Sequence, residues 1–255
     1  MAEPKKSEDL GECAYCSNAA TTRDHIPPQT IFAKGTQNKP WVPACHNCNK
    51  GATKDDEYMQ RIALLWGADV TKDALDVEER FMRALQREEA KGLQADLLAS
   101  LSPLGPAEEL LFPGGINLAL KGERLGRIVD KLVRGWWFKL TKGNKIPSNH
   151  SIMKYTLGDR RQDNPVYEFN EREIVKIPGF FLGDYAFTFQ LAYCQKSRLT
   201  CWLFRFYKVF AIMAYTCKVE ENGDFQILDL RTPYCTIDDL AGAPVSDSPT
   251  SKRDD

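Results

Sequence analysis

The chain has 255 residues, 43% of them hydrophobic and 27% charged, with a formal net charge of −1 at pH 7. This is the make-up of a folded globular protein; it excludes a disordered or fibrous chain, and it is too neutral overall to mark a nucleic-acid binder by charge alone. The length allows two domains or one domain with an appendage, and Met1 to Leu10 holds no apolar core of a signal peptide.

The first patterned stretch is Cys13-Ala14-Tyr15-Cys16, followed by Arg23-Asp24-His25 and then Cys45-His46-Asn47-Cys48-Asn49-Lys50. Zn²⁺ in a structural site takes four ligands in a tetrahedron, and one Cys-x-x-Cys turn supplies two of them. Cys13, Cys16, Cys45 and Cys48 therefore predict one structural zinc site. A redox pair would follow a buried strand, and nothing before Cys13 reads as one. The segment between the pairs is longer than a zinc ribbon needs, and Asp24-His25 lies inside it. His25 suits the role of a base, since a neutral imidazole accepts a proton near pH 7. Asp24 and Asn49 offer the oxygen ligands that Mg²⁺ or Mn²⁺ takes. Hydrolysis of a phosphodiester uses that combination. Taken singly, His25 also reads as a loop histidine and Asn49 as an N-cap.

Cys-x-x-Cys, Asp-His, then Cys-x-x-Cys-Asn resembles the zinc-containing, treble-clef branch of the HNH or ββα-metal endonucleases, and is similar to phage enzymes of that kind that resolve Holliday junctions. The resemblance implies a β-hairpin and helix as the site, His25 as general base, Asp24 and Asn49 on Mg²⁺ or Mn²⁺, and the four cysteines on zinc. It implies a metal-dependent endonuclease acting on DNA, with RNA an alternative substrate for the same site and phage defence or restriction a family-level expectation. The middle Asn of the family has no clean counterpart; Lys39-Pro40-Trp41 stands there, and Asn38 is the nearest candidate. The residues also fit a rival from another class, a non-catalytic zinc module that docks nucleic acid or protein.

Further along, residues 55–66 read as helix, with Met59, Ile62, Ala63, Leu65 and Trp66 mainly on one face. Asp55, Asp56 and Glu57 suit its first turn through the helix dipole, or one of them reaches the metal loop. Residues 73–100 read as charged amphipathic helix broken near Gly92, followed by breaks at 102–106 and 113–115. A longer helix fits 117–140, with an apolar stripe of Leu125, Ile128, Val129, Leu132, Val133, Trp136 and Trp137. Opposite lie Arg124, Arg127, Lys131 and Arg134, either a solvated face or a face that tracks phosphates. From Tyr185 the period becomes two, which predicts strands at 185–193, 200–206 and 209–217, with Asn222-Gly223 turning into 225–228. Trp202, Phe204 and Phe206 read as core against the basic helix. The other cysteines (Cys194, Cys201, Cys217, Cys235) show no paired spacing and read as reduced. Arg205 and Lys208 interrupt the most apolar run, which argues against a membrane span and, with reduced thiols, points to the cytoplasm. His46 reads as exposed, and His150 is given no role. The expected fold is α+β: an N-terminal zinc-stabilised ββα-metal module (1–68), then a domain of helices and an antiparallel β-meander (69–242), then a disordered Ser/Pro/Asp tail (243–255).

Overall fold

The computed structural model describes residues 9–67, 71–103, 105–106, 116–148, 150–156, 179–194 and 199–218. β1 (Thr22–His25) and β2 (Trp41–Ala44) form an antiparallel ladder that sets Thr22 opposite Ala44 and His25 opposite Trp41. A short helix, α1 (His46–Lys50), starts directly after β2 with Cys45 as its N-cap residue, and α2 (Thr53–Gly67) follows. Tyr58, Met59, Ile62 and Ala63 are buried at helical spacing. Leu65 and Trp66, expected on that face, are exposed, and Leu64 is buried instead. Trp66 still finds a ring partner in Phe210, 5.9 Å between centroids.

α3 (Lys72–Leu85) is capped by Thr71, whose hydroxyl accepts from the Ala74 N–H at 3.1 Å. The helical region breaks earlier than expected. Arg87 is extended, a 3-10 turn spans Glu88–Ala90, and Gly92 falls inside α4 (Lys91–Ala99). Where the sequence offers only breaks, β3 (Leu101–Pro103) pairs with β4 (Ile116–Leu118). α5 (Gly122–Leu140) then begins later than the predicted helix, because Ile116–Leu118 are in that strand.

The largest sheet is antiparallel, in the order β5 (His150–Thr156), β9 (Phe210–Lys218), β8 (Leu199–Phe206), β7 (Phe187–Cys194), β6 (Phe180–Leu182). β7, β8 and β9 are the expected meander, and β5 and β6 are added edges. The architecture is therefore α+β with a Cys-rich N-terminal hairpin. Trp202, Phe204 and Phe206 are fully buried, as core. α5 lies on this sheet through Ile128, Leu132 and Trp136, with the Trp136 ring 4.3 Å from that of Phe189.

The same helix also touches the N-terminal hairpin. A Cβ added at Gly135 would meet Ile26 Cγ2 at 2.8 Å and the Tyr15 hydroxyl at 3.2 Å, so only glycine lets the two backbones come this close. One cluster of buried side chains consequently runs from Ala14, Ile26 and Val42 through α2 and α5 into the sheet. Among the described residues no helix is long and apolar enough to cross a membrane. Cys201 is a buried free thiol. The 222–228 hairpin, Cys235 and the 243–255 tail lie outside the described residues, as do the Cys194 and Cys217 side chains.

Candidate metal centre and hydrolytic site

The first cysteine pair is strapped to the strand that leads into the second. Ala14 N–H donates to the Pro43 carbonyl at 2.8 Å and Thr21 N–H to the Ala44 carbonyl at 3.0 Å. The Lys145 ammonium closes the outer side on Glu12 and on the Cys16 carbonyl, at 2.7 and 2.8 Å. As a result the four sulfurs of Cys13, Cys16, Cys45 and Cys48 lie within 4.8 Å of one another. Cys16 is 3.7 Å from both Cys45 and Cys48. A tetrahedron with metal–sulfur bonds of about 2.3 Å has edges of about 3.8 Å, so the spacing suits a metal ion such as zinc. The Cys48 backbone N–H, bonded to the Cys45 sulfur, brings that thiol down to about 7. Burial and the neighbouring sulfurs push Cys48 up instead. Four thiolates cannot coexist here without a cation among them.

Cys45 and Cys48 place Asn49. Its amide nitrogen donates to the Thr22 hydroxyl at 3.0 Å and to the Arg23 carbonyl at 3.2 Å, which pins α1 to β1. The nitrogen is thus spent, and among the described residues the amide oxygen accepts no hydrogen bond. His25 is held from the other side. Its Nδ1 lies 3.3 Å from the Pro40 carbonyl, so Nδ1 carries the proton and Nε2 can accept one. The Pro40 carbonyl thereby orients the imidazole ring. Asn38 is exposed, in the left-handed region at φ 54°, and makes no contact with His25 among the described hydrogen bonds.

No protein-family model, no characterised protein and no solved structure matches this chain.

Successive strand residues face opposite ways. Asp24 points inward with Thr22 and Ile26, while His25 shares the outer face with Arg23. Asp24 is buried, and both carboxylate oxygens are engaged: one accepts from the Tyr15 hydroxyl at 2.8 Å, the other faces the Lys131 ammonium at 3.1 Å. Lys131 also holds Asp56 at 2.9 Å. Burial pushes the Asp56 carboxyl up to about 6 against the opposing pull of Lys131. Burial, then the charge of Asp24, raises Tyr15 well above its usual range. For a hard cation the fit is therefore incomplete. Asn49 Oδ1 is open to one, but Asp24 already neutralises an ammonium.

The basic stripe of α5 meets the protein's own carboxylates. Arg127 grips Asp55 with two bonds of 2.7 and 3.0 Å, and Arg124 stands 3.9 Å from the same group and over the Tyr58 ring. Lys131, expected with them on a face either solvated or tracking phosphates, is buried between Asp24 and Asp56. Arg134 has no ion pair among the described residues and borders a cleft of about 420 Å³ between α1, the start of α2 and α5. Asp55 and Asp56 thus have ion pairs besides any benefit from the helix dipole. Sequence reasoning missed Tyr15 and Lys131 as the partners of Asp24. Tyr15 inside a cysteine knuckle was the available hint, being a large ring where a tight turn needs none.

Proposed function

We propose that the chain is a metal-dependent endonuclease of the HNH type that hydrolyses phosphodiester bonds in DNA, with zinc on Cys13, Cys16, Cys45 and Cys48 as its scaffold. The observation that carries this reading is the bonding of Asn49, one residue past the last cysteine, to β1 at Thr22 and Arg23. A cysteine cluster that could hold a metal thereby fixes the Asn49 amide against the strand that carries Asp24 and His25. In this reading His25 Nε2 takes a proton from the attacking water, while Nδ1 stays on the Pro40 carbonyl. A divalent cation would supply charge neutralisation at the phosphate. Asn49 is the ligand that the fold leaves available, and Asp24 joins it only by loosening its hold on Lys131.

The burial and pairing of Asp24 favour a second reading, a zinc module that binds nucleic acid without cutting it. Zinc-loaded protein is incubated with supercoiled plasmid, linear duplex, single-stranded DNA and RNA, with Mg²⁺ or Mn²⁺, beside His25→Ala. Metal-dependent cutting that disappears in His25→Ala, with zinc content intact, is expected. Cutting by His25→Ala would remove the assignment of the base, and no cutting with any metal would favour the binding module.

A further inference from the structure

Lys131 reaches from α5 to the hairpin and puts a positive charge on Asp24, where the sequence motif implies a divalent one. Its ammonium has three N–H donors, and three carboxylate oxygens lie around it: Asp24 Oδ1 at 3.1 Å, Asp56 Oδ2 at 2.9 Å and Asp56 Oδ1 at 3.2 Å. The two carboxylates come from β1 and α2 and meet on this one group. The second oxygen of Asp24 is taken by the Tyr15 hydroxyl. Asp24 and Lys131 are buried, so little water screens the pair.

A divalent ion bonds a carboxylate oxygen at about 2.1 Å, so on the oxygen that Lys131 holds it would stand within about 5 Å of the ammonium. At that distance, in a site with little water, the two cations repel strongly. Asn49 is no substitute for Asp24, since an amide oxygen brings a dipole and no charge, whereas Mg²⁺ is held through one or two carboxylates. The cleft between α1, the start of α2 and α5 gives the ammonium a way out. Lys131 and Asp56 line it beside Arg134, and the lysine stem is a flexible four-carbon chain. A turn of that stem frees Asp24 while α5 stays on the sheet and against Ile26.

We propose that Lys131 locks the hydrolytic site against its cation: the ammonium and a divalent ion exclude each other at Asp24, and Mg²⁺ or Mn²⁺ enters only when Lys131 turns into the cleft. The choice of Asn49 as the ion's second ligand rests on the nuclease reading; the exclusion at Asp24 does not. In its resting form the protein therefore takes Mg²⁺ or Mn²⁺ weakly.

The test titrates Mn²⁺ alone into full-length, zinc-loaded protein and reads free Mn²⁺ by electron paramagnetic resonance. Lys131→Met with Asp56→Asn is the main variant, because the second substitution removes a carboxylate that would otherwise be left without its partner. It should bind one Mn²⁺ about 10- to 100-fold more tightly than wild type, a change within the range that ligand charge brings to such sites. Adding Asp24→Asn or Asn49→Ala should return the affinity to the wild-type level. Asp56→Asn by itself leaves Lys131 on Asp24 and should bind no more tightly than wild type. A purely structural role for Lys131 would move the Tm and leave the Mn²⁺ affinity where it was. Asp24→Asn in otherwise wild-type protein keeps the test available if the double variant does not fold: its Mn²⁺ affinity should equal that of wild type, and a loss would show Asp24 already on the ion. Equal affinity in wild type and the folded double variant would overturn the proposal, as would tight binding that survives Asn49→Ala and so places the ion elsewhere. Tighter Mn²⁺ binding with no DNA cutting by either protein would keep the lock and remove the nuclease. Cutting by wild type at the same Mg²⁺ concentration as the double variant would do the reverse.

Discussion

Replacing Lys131 by methionine isolates the charge of one buried side chain, since methionine keeps most of the aliphatic stem. The Lys131 side chain is 10% exposed and faces Asp24 and Asp56, at 5% and 15%. Removing one partner of a buried ion pair costs about 3–5 kcal/mol, because the remaining charge is left without compensation. Asp56 limits that loss. With its carboxyl already raised to about 6, taking up a proton at pH 7 costs only about 1.4 kcal/mol. Asp24 keeps the Tyr15 hydroxyl. A net loss of about 3 kcal/mol is therefore expected near pH 7, or a fall in Tm of roughly 6–12 °C for a chain of this size. The sign of the pH dependence follows from linkage. A carboxyl whose folded-state value is raised holds a proton in the folded state before the unfolded chain does. The stability this brings is present at low pH and is lost as pH rises through the folded value. Without Lys131 the folded-state value of Asp56 rises further, so the deficit of the variant should shrink between pH 8 and pH 6. Thermal melts of zinc-loaded wild type, Lys131→Met, and Lys131→Met with Asp56→Asn measure this, and the second substitution should restore part of the loss. A Tm for Lys131→Met within 2 °C of wild type, or a deficit equal at the two pH values, would refute the reasoning.

Two glycines of α5 should respond oppositely to alanine. Gly135→Ala drives a methyl into Ile26 and Tyr15, an overpacking cost of about 1–3 kcal/mol that exceeds the gain of up to about 1 kcal/mol in helix propensity. Gly126→Ala meets only the Lys154 side chain, at 3.6 Å, and should be neutral or stabilising. Urea unfolding of the two variants side by side checks this, and equal destabilisation would contradict it. Cys45→Ser should abolish stoichiometric zinc and unfold the hairpin, because binding at such a site is worth on the order of 10 kcal/mol of folding free energy. Zinc assay with near-ultraviolet circular dichroism reads both, and one retained equivalent with a native spectrum would remove the scaffold role.

Local patterns in the sequence translated well into structure. The cysteine spacing led to a four-sulfur cluster, the apolar repeat of Leu125 to Trp136 to the buried face of α5, and the alternation after Tyr185 to the meander. Features decided by partners far along the chain did not. Nothing around Lys131 marks it for burial; its neighbours Arg124, Arg127 and Arg134 have the same helical spacing, and only the approach of the hairpin at Gly135 selects it. His150, read without a role, opens an edge strand paired to β9. β3 and β4 are three residues each, too short for alternation to show, and β3 contains a proline. The candidate site divides the same way. Asn49 and His25 were legible because they stand inside the motif itself, beside Cys48 and Asp24. The pairing of Asp24 with Tyr15 and Lys131 was not.

The contacts of α5 also set where the protein can be divided. Its apolar face is covered by the sheet, while Gly135 and Lys131 are covered by the hairpin. A fragment ending at Gly67 would expose Ile26, Tyr58 and Met59 to water and leave Asp24 and Asp56 repelling each other. The smallest transplantable piece that keeps the cysteine cluster and His25 in their present surroundings must reach at least to Lys145, which bonds Glu12 and the Cys16 carbonyl, and it would then carry an uncovered apolar helix face. Transfer of this site to another scaffold therefore calls for a host that supplies a sheet beneath α5.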